Sequence, residues 1–337
     1  MTPAAWAASP NEKKAAMQTR AIFFLVLSRV LVCAAMLVLI SFVIFSLLYI
    51  TPGDAVSNLL GTRRRTPETE ELLRQQYHLN DPFLTQYWIW LKDAVRFDFG
   101  NSSVSTLPVT DEIKARLPNS LLLAGVAYLL TMLIGIPLGL AAAVKKSTFV
   151  DRGIVASVIV GFSTPVFVGA VALLYVFGVL FGWFPVFGAG SGFVDKLWHL
   201  TLPALALAIS GVALIVKHTR AVMIKVLDQD YVTFARARGM SSRRVFLFYA
   251  LRNGMIPVIT VSVPLLASLA TGAVLVEVTF SIPGIGDLLV RSASSQDLPT
   301  LQAIALLVAA LIMFANLAAD MLYLAADPRI RHGRPTA

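Results

Sequence analysis

Residues 230–257 read DYVTFARARGMSSRRVFLFYALRNGMIP and separate two long apolar runs with a basic, glycine-containing segment. Hydrocarbon does not accept so many charged side chains, so this segment must lie in water or against a partner protein. Its first half predicts a short helix that Asp230 caps and Gly239 ends. One face of that helix carries Tyr231, Phe234 and Ala235.

The second half of the segment predicts another short helix. Ser241 or Ser242 opens it. Its apolar side chains are Val245, Phe248 and Tyr249. Two short amphipathic helices joined at a glycine form a compact knob, and this shape fits a groove on another protein. The pattern therefore predicts a docking site for a partner.

The composition of the chain is that of a membrane protein. Apolar residues make up 57% of the 337 residues and charged residues only 14%, against about 25% charged residues in an average soluble domain. The mean hydropathy is +0.75. Each of six apolar runs is long enough to cross a hydrocarbon core of about 30 Å as a helix. We place them at Val30–Ile50, Ser120–Val144, Gly153–Leu180, Leu202–His218, Ile256–Leu275 and Leu301–Tyr323, of which the fourth is the shortest.

The net charge of +9 reflects topology rather than nucleic-acid binding. The two short loops on one side of the predicted bundle carry one basic residue each, Lys196 and Arg291, whereas the loops on the other side are rich in Lys and Arg. Basic loops stay in the cytoplasm, so both termini are expected there. Contact with anionic lipids explains the rest of the basic excess.

The segment between the first two runs, residues 51–119, is too polar to cross a membrane. Glu68–Tyr77 and Phe83–Val95 predict amphipathic helices within it. Three residues of the second helix are expected at the membrane interface, namely Trp88, Trp90 and Leu91. Two interpretations stay open: a cap that receives a substrate-carrying protein, or a packed lid with a structural role.

Two further interruptions occur in the apolar runs. Ser163-Thr164-Pro165 breaks the third run, because proline lacks a backbone donor, and Ser or Thr can satisfy the freed carbonyl. The break either exposes backbone groups to a passing substrate or fits neighbouring helices. The residues from Ser281 to Gly286 read SIPGIG and predict a turn that re-enters the outer face. We expect Gly284 and Gly286 to adopt backbone conformations that other residues disfavour.

Charged residues within apolar runs require an explanation, because each is costly in hydrocarbon. Glu277 ends the fifth run on the outer side, where contact with water and a structural role both fit. Asp320 lies in the sixth run, with Asn316 one turn earlier on the same face. It belongs either to a polar stripe along a pathway or to an interhelical hydrogen bond, and its nearness to the cytoplasmic end favours the hydrogen bond. The inner end of the fourth run is marked by Lys217, His218 and Arg220, whose side chains reach the interface.

The segment 230–257 resembles the cytoplasmic EAA loop of binding-protein-dependent ABC importer permeases, in the form used by dipeptide, oligopeptide and nickel permeases. The matching residues are Tyr231, Ala235, Arg236, Ala237, Gly239, Arg244, Ala250, Leu251, Arg252, Asn253 and Pro257. Two positions depart from the general motif: Thr233-Phe234 replaces Glu-Ala, and Arg252 replaces proline. Peptide-type members depart from it at the same positions.

Other motifs follow the order found in the B-type subunit of peptide permeases, over residues 26–331. They are Thr51-Pro-Gly-Asp54, Leu79-Asn-Asp-Pro82, Gln86-Tyr87, Trp90-Leu91, Ser163-Thr-Pro165, Glu277, Phe280, Ser281, Pro283-Gly-Ile-Gly286 and Asp327-Pro-Arg329. The resemblance implies an all-α polytopic membrane protein of the type I ABC importer (MetI-like) fold, with six transmembrane helices.

This fold divides the chain into a cytoplasmic N-terminal tail (1–25), a first transmembrane helix (26–50) and an extracytoplasmic helical segment (51–119). A transmembrane core (120–325) follows, with a cytoplasmic coupling loop at 226–256, and a cytoplasmic C-terminal tail (326–337) closes the chain. The resemblance implies a multi-pass protein of the cytoplasmic membrane that imports dipeptides or oligopeptides by alternating access.

The resemblance also implies roles for individual residues. Coupling to the ATPase is expected from Tyr231, Phe234, Ala235, Arg236, Ala237, Arg238 and Gly239. The pathway and its outer gate are expected to include Ser163, Pro165, Glu277, Pro283, Gly284, Gly286 and Asp320. The implied partners are a second, homologous permease subunit that forms a heterodimer, two ABC ATPase subunits, an extracytoplasmic peptide-binding protein and membrane lipids, without nucleic acid. ATP and Mg²⁺ belong to the ATPase subunits, because no G-x-x-x-x-G-K-[ST] loop occurs in this chain.

Three alternatives remain at this stage. A nickel permease of the same family is one, although the four histidines, His78, His199, His218 and His332, lack metal-ligand spacing. A proton-coupled carrier acting alone is the second, and it depends on Asp320. The third is an intramembrane serine protease with Ser163 as nucleophile and His218 as base, but our topology puts the two at different depths. We therefore expect no catalytic residue and no metal ligand in the chain.

Overall fold

The computed structural model describes residues 10–50, Asp54, Val56 and residues 66–326, and these residues form helices joined by turns. The sequence motifs at Thr51–Gly53 and Asp327–Arg329 lie outside the described residues. Five helices are long and apolar enough to cross a membrane. They are α1 (Pro10–Ile50), α4 (Val109–Val144), α7 (Phe193–Leu227), α9 (Ser242–Thr279) and α11 (Leu298–Ala326).

A sixth span is a broken helix. Its two halves, α5 (Phe149–Ser163) and α6 (Val166–Leu180), meet at an angle of 102°. The break falls at Thr164 and Pro165, where the sequence predicts it. The helical membrane fold is therefore confirmed, with five candidate spans and a sixth where the bent pair crosses as one.

Shorter helices define the two ends of the bundle. α8 (Asp230–Ala237) lies between α7 and α9, and α10 (Ile285–Ser294) lies between α9 and α11. Because α9 runs through the bundle, α8 and α10 lie at opposite ends, which we call the α8 end and the α10 end. α2 (Pro67–Gln76) and α3 (Phe83–Val95) come between α1 and α4, and α3 packs along the C-terminal half of α1.

The first helix starts earlier than the sequence prediction. α1 begins at Pro10, so residues 10–25, which we assigned to the N-terminal tail, are helical. Proline is well tolerated in the first turn of a helix, and the residues that follow are mostly good helix formers without Gly or Pro. Apolarity alone marked only the part of this helix that can lie in hydrocarbon.

The fourth span is also longer than predicted. We expected Leu202–His218, but α7 covers Phe193–Leu227 and is the most buried of the candidate spans. The flanking residues are polar enough to end an apolar run, yet they contain no Gly or Pro to end a helix. As a result α7 extends beyond the hydrocarbon toward α8.

The closest helix pair in the bundle is α4 with α7. Small residues on each helix face larger residues on the other: Thr131 with Gly211, Gly135 with Ile215, and Gly139 with Thr219. A Cβ at Gly139 would lie 2.6 Å from the Cβ of Thr219. Each pair is one four-residue step from the next on both helices, so α4 and α7 run parallel. Small residues at such positions let two helix backbones approach closely. In lipid, where the hydrophobic effect does not drive helices together, this close packing favours their association.

We expect Gly139→Ala to destabilise the protein by about 1–3 kcal/mol, because the added methyl group overpacks the contact with Thr219. Thermal unfolding of the detergent-solubilised protein measures the effect. Gly125→Ala on the same helix is the matched control, since its Cβ meets no atom within 4 Å. This control should be neutral or stabilising, by about 0.4–1 kcal/mol. Equal melting temperatures for the two variants would contradict the close contact between α4 and α7.

Candidate functional site

The first half of the predicted coupling segment forms one short helix, α8. Its N-cap is Gln229, and Asp230 is the first helical residue, so the prediction that Asp230 caps the helix is wrong. The helix stops at Ala237, and Gly239 has a left-handed φ of 76°. Residues other than glycine are strained in this region, which explains the glycine after the helix.

The second helix of the predicted knob is not a separate element. Ser242 begins a helix that continues to Thr279 as the fifth membrane span, through a π-helical stretch at Val245–Leu251. Pro257 and Pro264 lie inside it, and nothing between Ser242 and the span breaks the helix. The segment is therefore one short helix hinged at Gly239 on the end of a spanning helix.

The side chains of α8 divide into a buried set and an exposed set. Val232 and Ala235 pack with Val245 in a small cluster that holds α8 against α9. Phe234 is 69% exposed and Tyr231 is 37% exposed. The expected common face of Tyr231, Phe234 and Ala235 is therefore divided, because Ala235 points inward. Three further residues of the predicted coupling set are exposed: Arg236, Ala237 and Arg238.

Further contacts connect α8 to the spanning helices. The Asn253 side-chain amide donates to the Tyr249 carbonyl at 3.0 Å and to the Tyr231 hydroxyl at 3.4 Å. One residue later, Gly254 packs against the side chain of Met223 on α7, where a Cβ would collide with the sulfur. These contacts join α8 to α9, and α9 to α7.

At the α10 end, Glu277 is 1% exposed and is surrounded by hydrogen-bond donors. The Ser120 hydroxyl donates to its Oε1 at 2.6 Å, and the backbone N–H groups of Gly286 and Asp287 donate to its Oε2 at 2.7 and 3.2 Å. The Ser120 hydroxyl also accepts from the N–H of Ile285 at 2.8 Å. Side chains of α4 and α9 thus cap α10, and Glu277 stabilises its N-terminus electrostatically. We call Ser120, Glu277 and residues 284–287 the α10 clasp.

The glycines of the turn have a different role from the one we predicted. Neither Gly284 nor Gly286 has a positive φ, whereas Ser281 does, with a φ of 50°. A Cβ at Gly284 would collide with the Glu277 carboxylate, and one at Gly286 would collide with the backbone of Val274. Both positions need glycine for space, not for backbone conformation. The SIPGIG sequence did not reveal which of the two reasons applied.

Additional contacts fasten the α10 clasp to the N-terminal part of α4. Asn119 donates to the Pro283 carbonyl at 2.9 Å, and Arg116 pairs with Asp287 at 2.9 Å. Asp297 was not predicted from the sequence; it is buried and accepts from the hydroxyls of Ser102 at 2.6 Å, Ser103 at 2.9 Å and Thr300 at 2.7 Å. An acidic residue between two helical runs was the feature of the sequence that could have pointed to Asp297. The α10 turn, α11 and residues 102–119 are therefore bound to one another.

At the break at Ser163–Pro165, the hydroxyl of Thr164 bonds the carbonyl of Val160 and not, as predicted, the carbonyl of Gly161 that the missing N–H of Pro165 frees. The Thr164 hydroxyl donates to the Val160 carbonyl at 2.9 Å, and Pro165 is the N-cap of α6. Ser163 ends α5 and is exposed. This geometry fits both interpretations of the break.

Two ion pairs join spanning helices toward the α8 end. Asp320 pairs with Arg29 of α1 at 3.1 Å, so its partner is a charged group on another helix. The second pair was not predicted from the sequence: Arg220 of α7 contacts both carboxylate oxygens of Asp151 at 2.6 and 2.8 Å. Asp151 is buried and lies in the first turn of α5. This bidentate contact connects α7 to the broken span.

Two family models match the chain. Residues 135–332 match the binding-protein-dependent transport system inner membrane component, and residues 22–124 match the N-terminal membrane component of the same transport systems. The chain belongs to this family. It is therefore an integral protein of the inner membrane and a transport permease, and the family implies separate ATPase subunits and a second permease.

Full-length relatives of this permease support the assignment. It is 36% identical over 313 residues to the oligopeptide transport system permease protein AppB of Bacillus subtilis, covering 91% of this chain and 99% of the relative. It is also 36% identical over 307 residues to the glutathione transport system permease protein GsiC of Escherichia coli, covering 91% and 98%. A putative peptide transport system permease protein of Brucella abortus is 35% identical, covering 91% and 99%.

Solved structures confirm the fold of the permease. An inward-facing form of the MetNI methionine ABC transporter matches with a TM-score of 0.55 and 14% identity, covering 64% of this chain and 96% of that chain. A second crystal form of the same transporter gives a TM-score of 0.52. These similarities confirm the MetI-like core of the predicted fold.

We expect Gly284→Ala to lower substrate uptake while the ATPase subunits still co-purify with the permease. The added methyl group displaces the Glu277 carboxylate from the α10 clasp, which lies far from α8. Gly169→Ala on α6 is the control, because its Cβ meets no atom within 4 Å and uptake should stay unchanged. Loss of ATPase co-purification in Gly284→Ala would contradict the separation of the two ends.

We expect Asp151→Ala to destabilise the permease by about 2–4 kcal/mol, because it leaves the Arg220 guanidinium unpaired. Asp228→Ala is the matched control at the same end, since Asp228 is exposed and its carboxylate is as far as 4.0 Å from the Lys146 ammonium group. Exposed pairs of this kind contribute about 0–1 kcal/mol. Thermal unfolding of both variants measures the difference, and a similar loss in each would contradict a structural role for the buried pair.

Proposed function

We propose that the chain is the permease subunit of an ATP-driven importer of dipeptides or oligopeptides. The observation that carries this proposal is the identity of 36% with oligopeptide and glutathione permeases over nearly their whole length. The names of these relatives favour peptides over nickel as the substrate. Among the described residues, no group of three or more His, Cys, Asp or Glu side chains is placed to hold a metal ion.

The ion pair of Asp320 bears on the proton-coupled carrier. That hypothesis depended on Asp320 as an intramembrane titratable group, but its carboxylate lies 3.1 Å from the Arg29 guanidinium. The ion pair gives the Asp320 carboxylate a partner on a neighbouring helix. We therefore assign Asp320 a structural role between α1 and α11.

We propose that the α8 end faces the cytoplasm, together with both termini. The basic residues of segment 230–257 support this orientation under the positive-inside rule. The α10 end, with α2 and α3, then faces outward. An extracytoplasmic peptide-binding protein would deliver substrate at that end, between this subunit and its partner permease.

Coupling to the ATPase is proposed to run through the exposed side chains of α8. Phe234 is the largest of them and is suited to a pocket on a partner, as aromatic anchors are at protein interfaces. Ala235 and Gly239 act differently: Ala235 seats α8 on Val245, and Gly239 allows the turn after the helix. ATP binding moves α8, and the movement reaches α7 and α9 through Met223 and Asn253.

The outer gate is proposed to be the α10 clasp together with Pro283. Opening of this gate involves a movement of α10, either relative to α4 or together with it. ATP can shift the equilibrium between the closed and open gate only if the ATPases bind these two states with different affinity. In this proposal the difference reaches the gate from α8 through the helix bundle. The break at Ser163 and Pro165 provides a site where α5 and α6 can change their angle.

Uptake by proteoliposomes that contain the complete transporter tests the substrate class. We expect ATP-dependent accumulation of a radiolabelled tripeptide in the presence of the peptide-binding protein, and no accumulation of radiolabelled nickel. Vesicles without ATP are the control for leakage. Nickel uptake without peptide uptake would overturn the assignment to peptides.

We expect Phe234→Ala to weaken co-purification of the ATPase subunits and to reduce uptake, because it removes the anchor of α8. Phe149→Ala is the matched control: this phenylalanine lies at the same end of the bundle and is 90% exposed, but it belongs to α5. Uptake and ATPase content of the purified complex should be normal in the control. Normal values in Phe234→Ala as well would show that α8 is not the coupling element.

A further inference from the structure

One face of α3 is apolar and uncovered. Leu84 and Trp88 are each 61% exposed and Val95 is 72% exposed. They are spaced by four and seven residues and therefore form one stripe along the helix. The opposite face of α3 packs on α1, where Phe83, Tyr87 and Trp90 contact aromatic side chains of that helix. A helix with two apolar faces is not adapted to contact with water.

The contact between α3 and α1 lies deep along α1. The Tyr87 hydroxyl is 2.9 Å from the Ser41 hydroxyl and 3.1 Å from the Val38 carbonyl. Val38 is nine residues from Arg29 and twelve from Ile50, distances of roughly 13 and 18 Å along a helix. A hydrocarbon core of about 30 Å that starts at Arg29 therefore ends near Ile50 and has Val38 close to its middle.

The neighbouring helix α11 is a second measure of the membrane limits and shares the Arg29–Asp320 pair with the first. Its Asp320 meets Arg29 at one end, and the Asp297 cluster lies at the other. From Leu298 to Asp320 the helix rises roughly 33 Å, which matches one hydrocarbon core. The two helices are held in register by Gln302, whose side chain donates to the Ile44 carbonyl at 3.2 Å. Tyr87 is thus at membrane depth by two measures.

The buried polar groups of α3 are satisfied by protein. Gln86 donates to the Asp81 carbonyl at 2.7 Å and accepts from the Tyr49 hydroxyl. The Tyr87 hydroxyl is bonded to α1 as described. This matters because hydrocarbon supplies no hydrogen-bond partner to a polar group. On the uncovered face Lys92 is near the C-terminal end of α3, where its long side chain can reach the headgroups.

We infer that α3 is embedded in one leaflet of the membrane, with the stripe of Leu84, Trp88 and Val95 against lipid acyl chains. The stripe continues the lipid-facing surface of α1, whose exposed residues at this level include Leu39, Phe42 and Val43. With the orientation proposed above, this is the outer leaflet. Lipid then fixes the segment between α1 and α4, which is tied to the gate through Asp297. Part of that segment is a membrane anchor rather than a water-exposed cap.

Spin-label accessibility in the complete transporter, reconstituted in liposomes, tests this inference. The chain has a single cysteine, so Cys33→Ser gives a background for new labelling sites. Labels are introduced by Trp88→Cys and, separately, by Leu84→Cys. Leu39→Cys on α1 is the lipid-facing control, and Glu71→Cys on α2 is the exposed polar control.

We expect the labels at positions 88 and 84 to be relaxed by oxygen and protected from water-soluble nickel ethylenediaminediacetate, as at position 39. The ratio of the two accessibilities should be reversed at position 71. Strong relaxation by the nickel complex at both α3 positions would put the stripe in water and overturn the inference. Protection from both agents would mean that another protein, such as the partner permease, covers the stripe, and this result would also overturn the inference. Neither readout depends on which side faces the cytoplasm, so the inference can fail while the proposed function stands.

Discussion

The close packing of α4 against α7 is the constraint on which the rest of the bundle depends. Glycine on one helix meets a bulky residue on the other at three successive steps, so the two helices behave as one body. α7 leads directly to α8 at one end, and α4 carries Ser120 of the α10 clasp at the other. In the proposed function, a displacement of α8 would reach the α10 clasp along this pair of helices.

Buried carboxylates hold neighbouring segments at the two ends of the α4–α7 pair. Asp151 holds α5 to α7, Glu277 holds α10 to α4 and α9, and Asp297 holds residues 102–103 to α11. A buried carboxylate is stable only if its partners are in place, because an unpaired charge at low dielectric is costly. Each of these groups therefore requires several chain segments to be correctly assembled. Their positions also separate the two proposed sites, since Asp151 serves the α8 end and Glu277 the α10 end.

Local sequence patterns were enough to predict the spans, the break at Pro165 and the helix α3. They failed where a helix continues beyond its apolar part, as at the N-terminal start of α1 and on both sides of α7. They also failed at the second half of the coupling segment, where Ser242 looked like the start of a short helix. Hydropathy reports where hydrocarbon begins, whereas a helix ends only where the backbone or its caps end it.

The sequence by itself determined the membrane class, the helical fold, the helix that ends before Gly239 and the family resemblance. These properties depend on composition and on residues near one another in the chain. Only the tertiary structure decided that Ala235 faces inward while Phe234 is free, that Gly284 makes room for Glu277, and that Asp151 meets Arg220. Such facts depend on which helices touch and at what rotation, and short-range patterns do not encode the contacts between residues far apart in the chain.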